Sequence, residues 1–383
     1  MARIVAIADA HLGCAHYHAV NEQGLNQRES DFAASWHRAV EAALALNPDG
    51  VLLLGDLFDI PRPSYRAFRE GQRGLRRLAD AGVPTAAISG NHDTTRLRES
   101  GSPYAVLADS FPGIAFVYRG AYEAVDLLPG LRLHAVPHCA DEGMLKEQIA
   151  AAAAARSGDR MNLLVTHAAV TVLSRRYTYG DVNELEIDLS VLDPGFDRIL
   201  LGHFHNYARV APNAWYPGST DTFSFKDLPS SDEPEVKGVL ALETTSGNVR
   251  HHPVPGARPL RTYRVDAFDL DLGQVYDAVA GLARPVDTED AVVRLYVNQA
   301  RPELRRLLDR RTVAEAFPGA LVVSVHVEAS EEEGAVQLAA QPVASLTDEW
   351  DRYLASVPVE GYDRDRLAAL GRGYLQHAEE EAR

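Results

Sequence analysis

The 383-residue sequence predicts an α/β fold, a layered core followed by a smaller α/β unit, and three observations carry that prediction. Short runs rich in Val, Ile and Leu recur as far as Gly202, amphipathic stretches of helical length separate the first of them, and beyond Gly202 the texture becomes β-like and punctuated. Taken in order, the apolar runs are RIVAIAD (3–9), GVLLLGDLF (50–58), PTAAISG (84–90), LRLHAVP (131–137), NLLVTH (162–167) and FDRILLG (196–202). Each reads as a strand buried on both faces, as in the middle of a sheet covered by helices. SDFAASWHRAVEAALAL (30–46) and YRAFREGQRGLRRLADAG (65–82) read as helices, the second stopping at Gly82 ahead of Pro84. The alanine run Ala150–Ala155 belongs to a further helix, since alanine has the highest helix propensity.

Past position 202, NAWYPGSTDTFSF, KGVLALETTSG and NVRHHPV read as β-like segments, with an acidic loop SSDEPE among them. The Pro- and Gly-containing stretch VPGARPL (254–260) is the best boundary. Beyond it, TYRVDAF, a helix GQVYDAVAGLA, AVVRLYV, a helix PELRRLLDRRTVAEAF and ALVVSVHVEA alternate, and two charged amphipathic helices follow from about Thr347. The expected organisation is 1–257, 258–346 and 347–383.

The composition narrows the class of function. Apolar residues make up 46% and charged residues 24%, as in soluble globular proteins, and no window is apolar enough for a membrane span. MARIVAIADAH enters a strand pattern without the zones of a signal peptide, so a cytoplasmic protein is expected. Two cysteines, Cys14 and Cys139, support neither a disulfide scaffold nor a thiolate zinc site and are expected to pack. A formal charge of -16 argues against a broad DNA-coating surface, though a local basic groove or a basic partner could still bring nucleic acid.

The chemistry lies where the strands end. Asp9 and His11 stand in ADAHLG, Asp56 and Asp59 in GDLFD, Asn91, His92 and Asp93 in GNHD, His167 in VTH, and His203 and His205 in GHFH. Open α/β sheets bind ligands at the carboxyl ends of their strands, so these residues can converge. Asp9 and His11, like His203 and His205, are two apart, which in extended chain places each pair on one face. Gly55, Gly90 and Gly202 precede Asp56, Asn91 and His203 and can supply turns with φ > 0. Singly, each motif has a plainer reading: D-x-H as a strand-end turn, GDLFD as a helix cap, His167 as a buried hydrogen-bonded histidine. Together they form a donor set of imidazole, carboxylate and amide oxygen without thiolate, suited to Mn, Fe or Zn. So many donors exceed the needs of one catalytic ion and suit two bridged by a carboxylate.

In type and order, DxH, GDxxD, GNHD, a lone His and GHxH resemble the calcineurin-like metallophosphoesterase superfamily across residues 9–205. Within it, DAHLG, RESDF, GDLFDIPRPSYRAF and WYPGSTDTFSF are most similar to the SbcD type of DNA double-strand-break repair nuclease. The resemblance implies a layered β-sandwich core flanked by helices, with a smaller α/β capping domain. It implies that Asp9, His11 and His205 hold one divalent ion, that Asn91, His167 and His203 hold another, that Asp56 bridges them, and that the ions are manganese. His92 then matches the catalytic histidine that contacts the scissile phosphate and protonates the leaving oxygen, while Asp93 orients the loop or the imidazole. The implied activity is 3' to 5' exonuclease and single-strand endonuclease, exercised as a homodimer on DNA with an SbcC-like SMC-type ATPase that the C-terminal helices could contact. Hydrolysis of a small phosphodiester or nucleotide is the alternative, and a scaffold that has lost turnover fits poorly with an intact motif set.

Several residues stay open at this level. Archaeal relatives carry histidine where this chain has Asp59, which either accepts from a ligand histidine or starts a helix. Arg62 and Arg66, with Ser64, follow the second motif, and Arg175, Arg176, Tyr177 and Tyr179 follow His167. Such groups contact phosphates and stack on bases, and they also occur in ordinary loops. His16 and His18 read as a solvated loop, and His251 and His252 alternate faces of a strand.

Overall fold

The computed structural model describes residues 2–95, 101–174, 184–192, 195–228, 236–282, 288–329, 346–356 and 363–381. They form two compact units, Met1–Glu328 and Ala329–Arg383.

In the first unit, β1 (Arg3–Ile7) leads through α1 (Gln27–Ala45) to β2 (Gly50–Leu54). The chain continues through α2 (Tyr65–Asp80) to β3 (Thr85–Ile88), and through α3 (Pro103–Ser110) to β4 (Ile114–Val117). The four strands pair in parallel. Each helix starts where a side chain accepts a free N–H of its first turn: Asn26 from Glu29, Ser64 from Ala67, and Ser102 from Tyr104. A second sheet follows from β5 (Glu123–Val125), β6 (Leu131–Val136), α4 (Glu142–Ala154) and β7 (Met161–His167). After the small pair β8 (Ala169–Val170) and β9 (Glu186–Ile187), it is completed by β10 (Arg198–Gly202), β11 (Ala208–Ala211) and β12 (Ala214–Tyr216). Its order is β11-β12-β10-β7-β6-β5. The chain then returns to the first sheet with β13 (Gly238–Glu243) and β14 (Val249–Pro253), giving β14-β13-β1-β2-β3-β4.

Strand alternation assigns the faces. Val51 and Leu53 of β2 pack outward with Trp36, Val40, Leu75 and Leu78 of α1 and α2. Leu52 and Leu54 pack inward with Leu133, Leu163, Val165 and Leu200 of the second sheet. The outer face of that sheet packs with Leu145, Ile149 and Ala152 of α4. The architecture is therefore a β-sandwich flanked by helices. Strands reading as covered by helices on both sides have a sheet on one side, because an apolar run records burial without recording what buries it.

A third sheet, β15 (Leu260–Asp266), β16 (Val292–Ala300) and β17 (Val322–Ala329), has its own core of Val265, Val279, Val293, Leu295 and Phe317. The helix expected over 302–317 is two, Pro302–Leu307 and Arg310–Glu315. Leu308 takes extended backbone, and the Asp309 carboxylate accepts from the N–H groups of Arg311 and Thr312, starting the helix afresh. WYPGSTDTFSF is strand only through Tyr216; its remainder is a loop ending in the 3-10 turn Phe225–Asp227. In the second unit, helices Leu346–Ser356 and Arg364–Glu381 pack so that Trp350 Nε1 donates to Ala368 O at 3.3 Å. Gly371 leaves room for that indole. Among the described residues, no helix is long and apolar enough to cross a membrane.

The two sheets come close together at Gly202, where an added Cβ would lie 1.9 Å from Leu54 O. Gly202→Ala is expected to cost at least about 1–3 kcal/mol in chemical denaturation, because a backbone carbonyl cannot turn aside as a side chain can. Gly113→Ala, at a position where a Cβ meets nothing within 4 Å, should leave the unfolding midpoint nearly unchanged.

Candidate metal centre

β1, β2, β3, β7 and β10 deliver Asp9, Asp56, Asn91, His167 and His203 to one edge of the sandwich, with all five buried. The loop after β1 runs beside the loop after β2: Asp9 N donates to Gly55 O at 3.1 Å and His11 N to Asp56 O at 2.9 Å. Extended-chain alternation does not produce the convergence. Asp9, His11, Asp56 and His203 all have positive φ, at 52°, 43°, 48° and 102°. Such backbone costs about 1–3 kcal/mol per residue, and its concentration here marks a site built against local preference. The three motif glycines also divide. Gly55 has φ 96°, whereas Gly90 and Gly202 are required by close approach, a Cβ at Gly90 falling 2.1 Å from Asp56 Oδ1.

The donors gather in three overlapping groups, Asp9–His11–His205, His11–Asp56–His92 and Asp56–His167–His203. His167 Nε2 lies 3.1 Å from Asp56 Oδ2 and 3.0 Å from Asn91 Oδ1, and His203 Nδ1 lies 3.2 Å from the same Asn91 oxygen. His11 Nε2 and His205 Nε2 face each other at 3.1 Å. Asp56 belongs to two of the groups and stands between them.

The outer nitrogens explain what the inner ones can do. His167 Nδ1 donates to Leu54 O at 2.8 Å, His205 Nδ1 faces Asp227 Oδ1 at 3.3 Å, His203 Nε2 faces Glu184 Oε1 at 3.2 Å, and His11 Nδ1 faces Asp59 Oδ1 at 3.4 Å. With a proton on each outer nitrogen, the inner nitrogens present lone pairs to one another and to the Asn91 and Asp56 oxygens. Lone pairs facing at such distances are stabilised by a proton or a metal cation between them, and the residues fit divalent ions. In this protein alone, protons meet part of that need. Burial opposes charge on His167, but Asp56 and Asp9 outweigh it and raise its pKa to about 9. Burial likewise resists ionisation of Asp56 and is overcome by His167 and His92, leaving its carboxyl well below the usual range. Asp227 is brought down to about 2, burial again outweighed by His205.

His92 sits at the open side of the group, half-buried, with Nδ1 donating to Asp59 O at 2.6 Å and its backbone N donating to Asp56 Oδ1 at 2.9 Å. Asp59 starts no helix, since α2 begins at Tyr65 behind its Ser64 cap; Asp59 braces His11 and His92. The Asp93 carboxylate accepts from the backbone N–H groups of Gly90, Leu57 and Phe58, tying the third motif to the second. Burial, reinforced by the charge of Asp56, lifts its pKa to about 7. Arg62 is exposed ahead of α2 and Arg66 half-buried in its first turn, while Ser64 serves as the cap. Arg175, Arg176, Tyr177 and Tyr179 lie outside the described residues. His18 is exposed, His16 is half-buried against Phe223, and His251 stacks on Tyr207. Cys14 and Cys139 are buried free thiols.

Sequence reasoning missed Asp227, Glu184, His138 and Phe223. Asp227 and Phe223 fall within or just after WYPGSTDTFSF, whose position directly behind GHFH was the available signal. His138 follows β6 as the other motifs follow their strands, and its backbone N donates to Ser89 O at 2.9 Å.

The sequence matches the family of calcineurin-like phosphoesterases over residues 2–207. It is similar to the DNA double-strand break repair protein Mre11 of Thermoplasma acidophilum, 29% identical over 63% of this chain and 62% of that protein. The Mre11 protein of Aeropyrum pernix is 29% identical over 74% of this chain and 68% of its own length. That of Methanococcus maripaludis is 33% identical over 27% of each. Over the first two of these, the match spans about two thirds of the relative's own length.

The Asp227 carboxylate orients the His205 imidazole and keeps Nε2 aimed inward. Asp227→Asn is expected to lower divalent-ion affinity by about 10- to 100-fold, read by calorimetric titration of metal-free protein with Mn²⁺, with little change in far-UV circular dichroism.

Proposed function

Because the chain belongs to the calcineurin-like phosphoesterases, we propose that it is a two-metal phosphodiesterase acting on DNA in double-strand-break repair. The observation that carries the reading is the group of buried imidazoles in which the outer nitrogens of His167 and His205 face acceptors, the inner nitrogen of His167 meets Asp56 and Asn91, and Asp9 gathers with His11 and His205. Asp9, His11 and His205 would hold one ion, Asn91, His167 and His203 the second, and Asp56 would bridge. Manganese is the proposed metal, and the donor set suits it. When bound, the ions supply Lewis-acid charge for the phosphodiester oxygens and a nucleophile from water at neutral pH.

The chain's own groups do the rest. Asp59 O fixes the Nδ1 proton of His92, leaving Nε2 as the atom that gains and loses a proton, and the half-buried ring can reach a leaving oxygen at the site's mouth. Asp93 keeps the His92 loop in place through three backbone N–H groups. Arg62 and Arg66 would meet phosphates along α2, with Arg175, Arg176 and Tyr177 serving the same purpose. The names of the similar proteins support DNA as substrate and break repair as setting. Exonuclease polarity from 3' to 5', endonuclease action on single strands, a homodimer, an SbcC-like SMC-type ATPase partner, a cytoplasmic location and a capping role for 258–346 with the C-terminal helices docking on that partner all belong to the proposal. A -16 chain favours delivery of DNA by a basic partner, and equally suits a second reading, hydrolysis of small phosphodiesters.

Purified protein with Mn²⁺ should cut end-labelled duplex and hairpin DNA, with or without its ATPase. Fast hydrolysis of bis-p-nitrophenyl phosphate or cyclic nucleotides with no DNA cleavage would establish the second reading instead. Asp56→Ala should bind almost no Mn²⁺ by elemental analysis, since it removes the group shared by both sites. His92→Ala should retain its metal and lose about 10²- to 10⁴-fold in kcat, the range of a general acid.

A further inference from the structure

The loop behind the GHFH motif places an aromatic ring, Phe223, beside the donors. Phe223 lies 4.5 Å from the His11 ring and 4.9 Å from the His205 ring, centroid to centroid, and 6.3 Å from that of His92. His16, from the loop after β1, stands edge-on to it at 4.9 Å. Phe32 and Phe58 are fully buried in the core, whereas Phe223 is only half-buried. Phe223 also meets Phe32 of the core at 6.1 Å, and leaving part of such a ring in water forfeits hydrophobic free energy.

That position is held rigidly. Before Phe223, Ser219 N donates to His205 O at 2.9 Å, and the Asp221 carboxylate accepts from Arg28 Nη2 at 3.0 Å and from the Ser35 hydroxyl. Arg28 Nη2 also donates to Thr222 O at 2.6 Å. After it, Ser224 N donates to Asp227 Oδ2 at 2.8 Å, the carboxylate that also faces His205. Arg28, Asp221 and Asp227 are buried, so the ring is mounted on a charged frame that ties it to the metal centre and to α1. Binding surfaces of this kind are pre-organised by the groups behind them.

We propose that Phe223, with His16 beside it, is a specificity-determining residue: a stacking wall for the nucleobase of the nucleotide that bears the cleaved phosphodiester. This inference rests on the DNA-cleaving reading above. The Phe223 ring stands 4.5 to 6.3 Å from the His11, His205 and His92 rings, so a phosphodiester engaged by those groups has its attached nucleoside within reach of that ring. Every base offers such a face, so the wall selects for a base without selecting which one, and an abasic nucleotide loses the contact.

Single-stranded oligonucleotides that differ only in a base or a tetrahydrofuran abasic residue at the cleaved position test it, using the Mn²⁺-loaded full chain. Wild-type protein should favour the base-bearing strand by roughly 5- to 150-fold, mostly through KM, the span that one base-aromatic stack supplies. Phe223→Leu keeps apolar packing against His11 and His205 but has no π face; it should keep its metal content and lose the preference. Phe223→Trp should restore it. A Phe223→Leu protein with the wild-type preference, or one slowed equally on both strands, overturns the inference while leaving the nuclease reading intact. Wild-type protein that cuts neither strand overturns both.

Discussion

Two carboxylates buried between two sheets set the terms for the rest of this structure. Asp9 and Asp56 have almost no contact with solvent, and burying one such charge costs several kcal/mol unless it is compensated. Compensation comes across the sandwich. His203 N, at the end of β10, donates to both oxygens of Asp9 at 3.0 and 3.2 Å, and His167, at the end of β7, lies 3.1 Å from Asp56. His167 in turn donates to Leu54 O of β2. The sheets are thus held together at the edge where the chemistry collects, and the same contacts explain why Gly202 and Gly90 carry no side chain.

This constraint accounts for the strained backbone. A strand that simply ran on would carry its donors past one another. The left-handed turns at Asp9, His11, Asp56 and His203 stop each strand and turn its polar group inward. Local strain is then offset by electrostatics that exist only when all the donors meet, so the site and the sandwich stabilise one another. The surrounding acceptors, Leu54 O, Asp227 and Glu184, divide the imidazoles of His167, His205 and His203 into an outer nitrogen that faces protein and an inner one left for a cation, and Asp59 stands 3.4 Å from the outer nitrogen of His11.

The frame around Arg28 extends the same logic outward. Arg28 pairs with Asp221 and Asp31, and Asp31 is also bonded by Arg258, just ahead of β15. One buried guanidinium therefore links α1, the loop that carries Phe223, and the start of the third sheet. An arginine so placed is costly to bury and holds register between three segments, a role that a pair of apolar side chains would not reproduce.

The sequence by itself determined most of the strands and the identities of the residues gathered at their ends, because apolar runs and strand-end polar motifs are local patterns. It also carried the helix stop at Gly82 and the two C-terminal helices. Strands β4, β5, β8, β9 and β11 are too short or too mixed to show as such runs, and the order of strands in the sheets came from the fold. The apolar runs alone left open what covers each face of β2, since burial leaves the same mark whatever the partner. The family resemblance implied a sandwich, and the tertiary structure has a second sheet on one face and helices on the other. Only the tertiary structure decided that 302–317 breaks at Leu308 and Asp309, where one side-chain cap overrides a continuous helical pattern. It decided too that Asp9 and His11 converge through left-handed turns, that Asp59 braces two histidines, and that Asp227 and Phe223 belong to the site. Those roles depend on contacts between residues far apart in the chain, and a contact between distant segments has no local signature for a sequence to display.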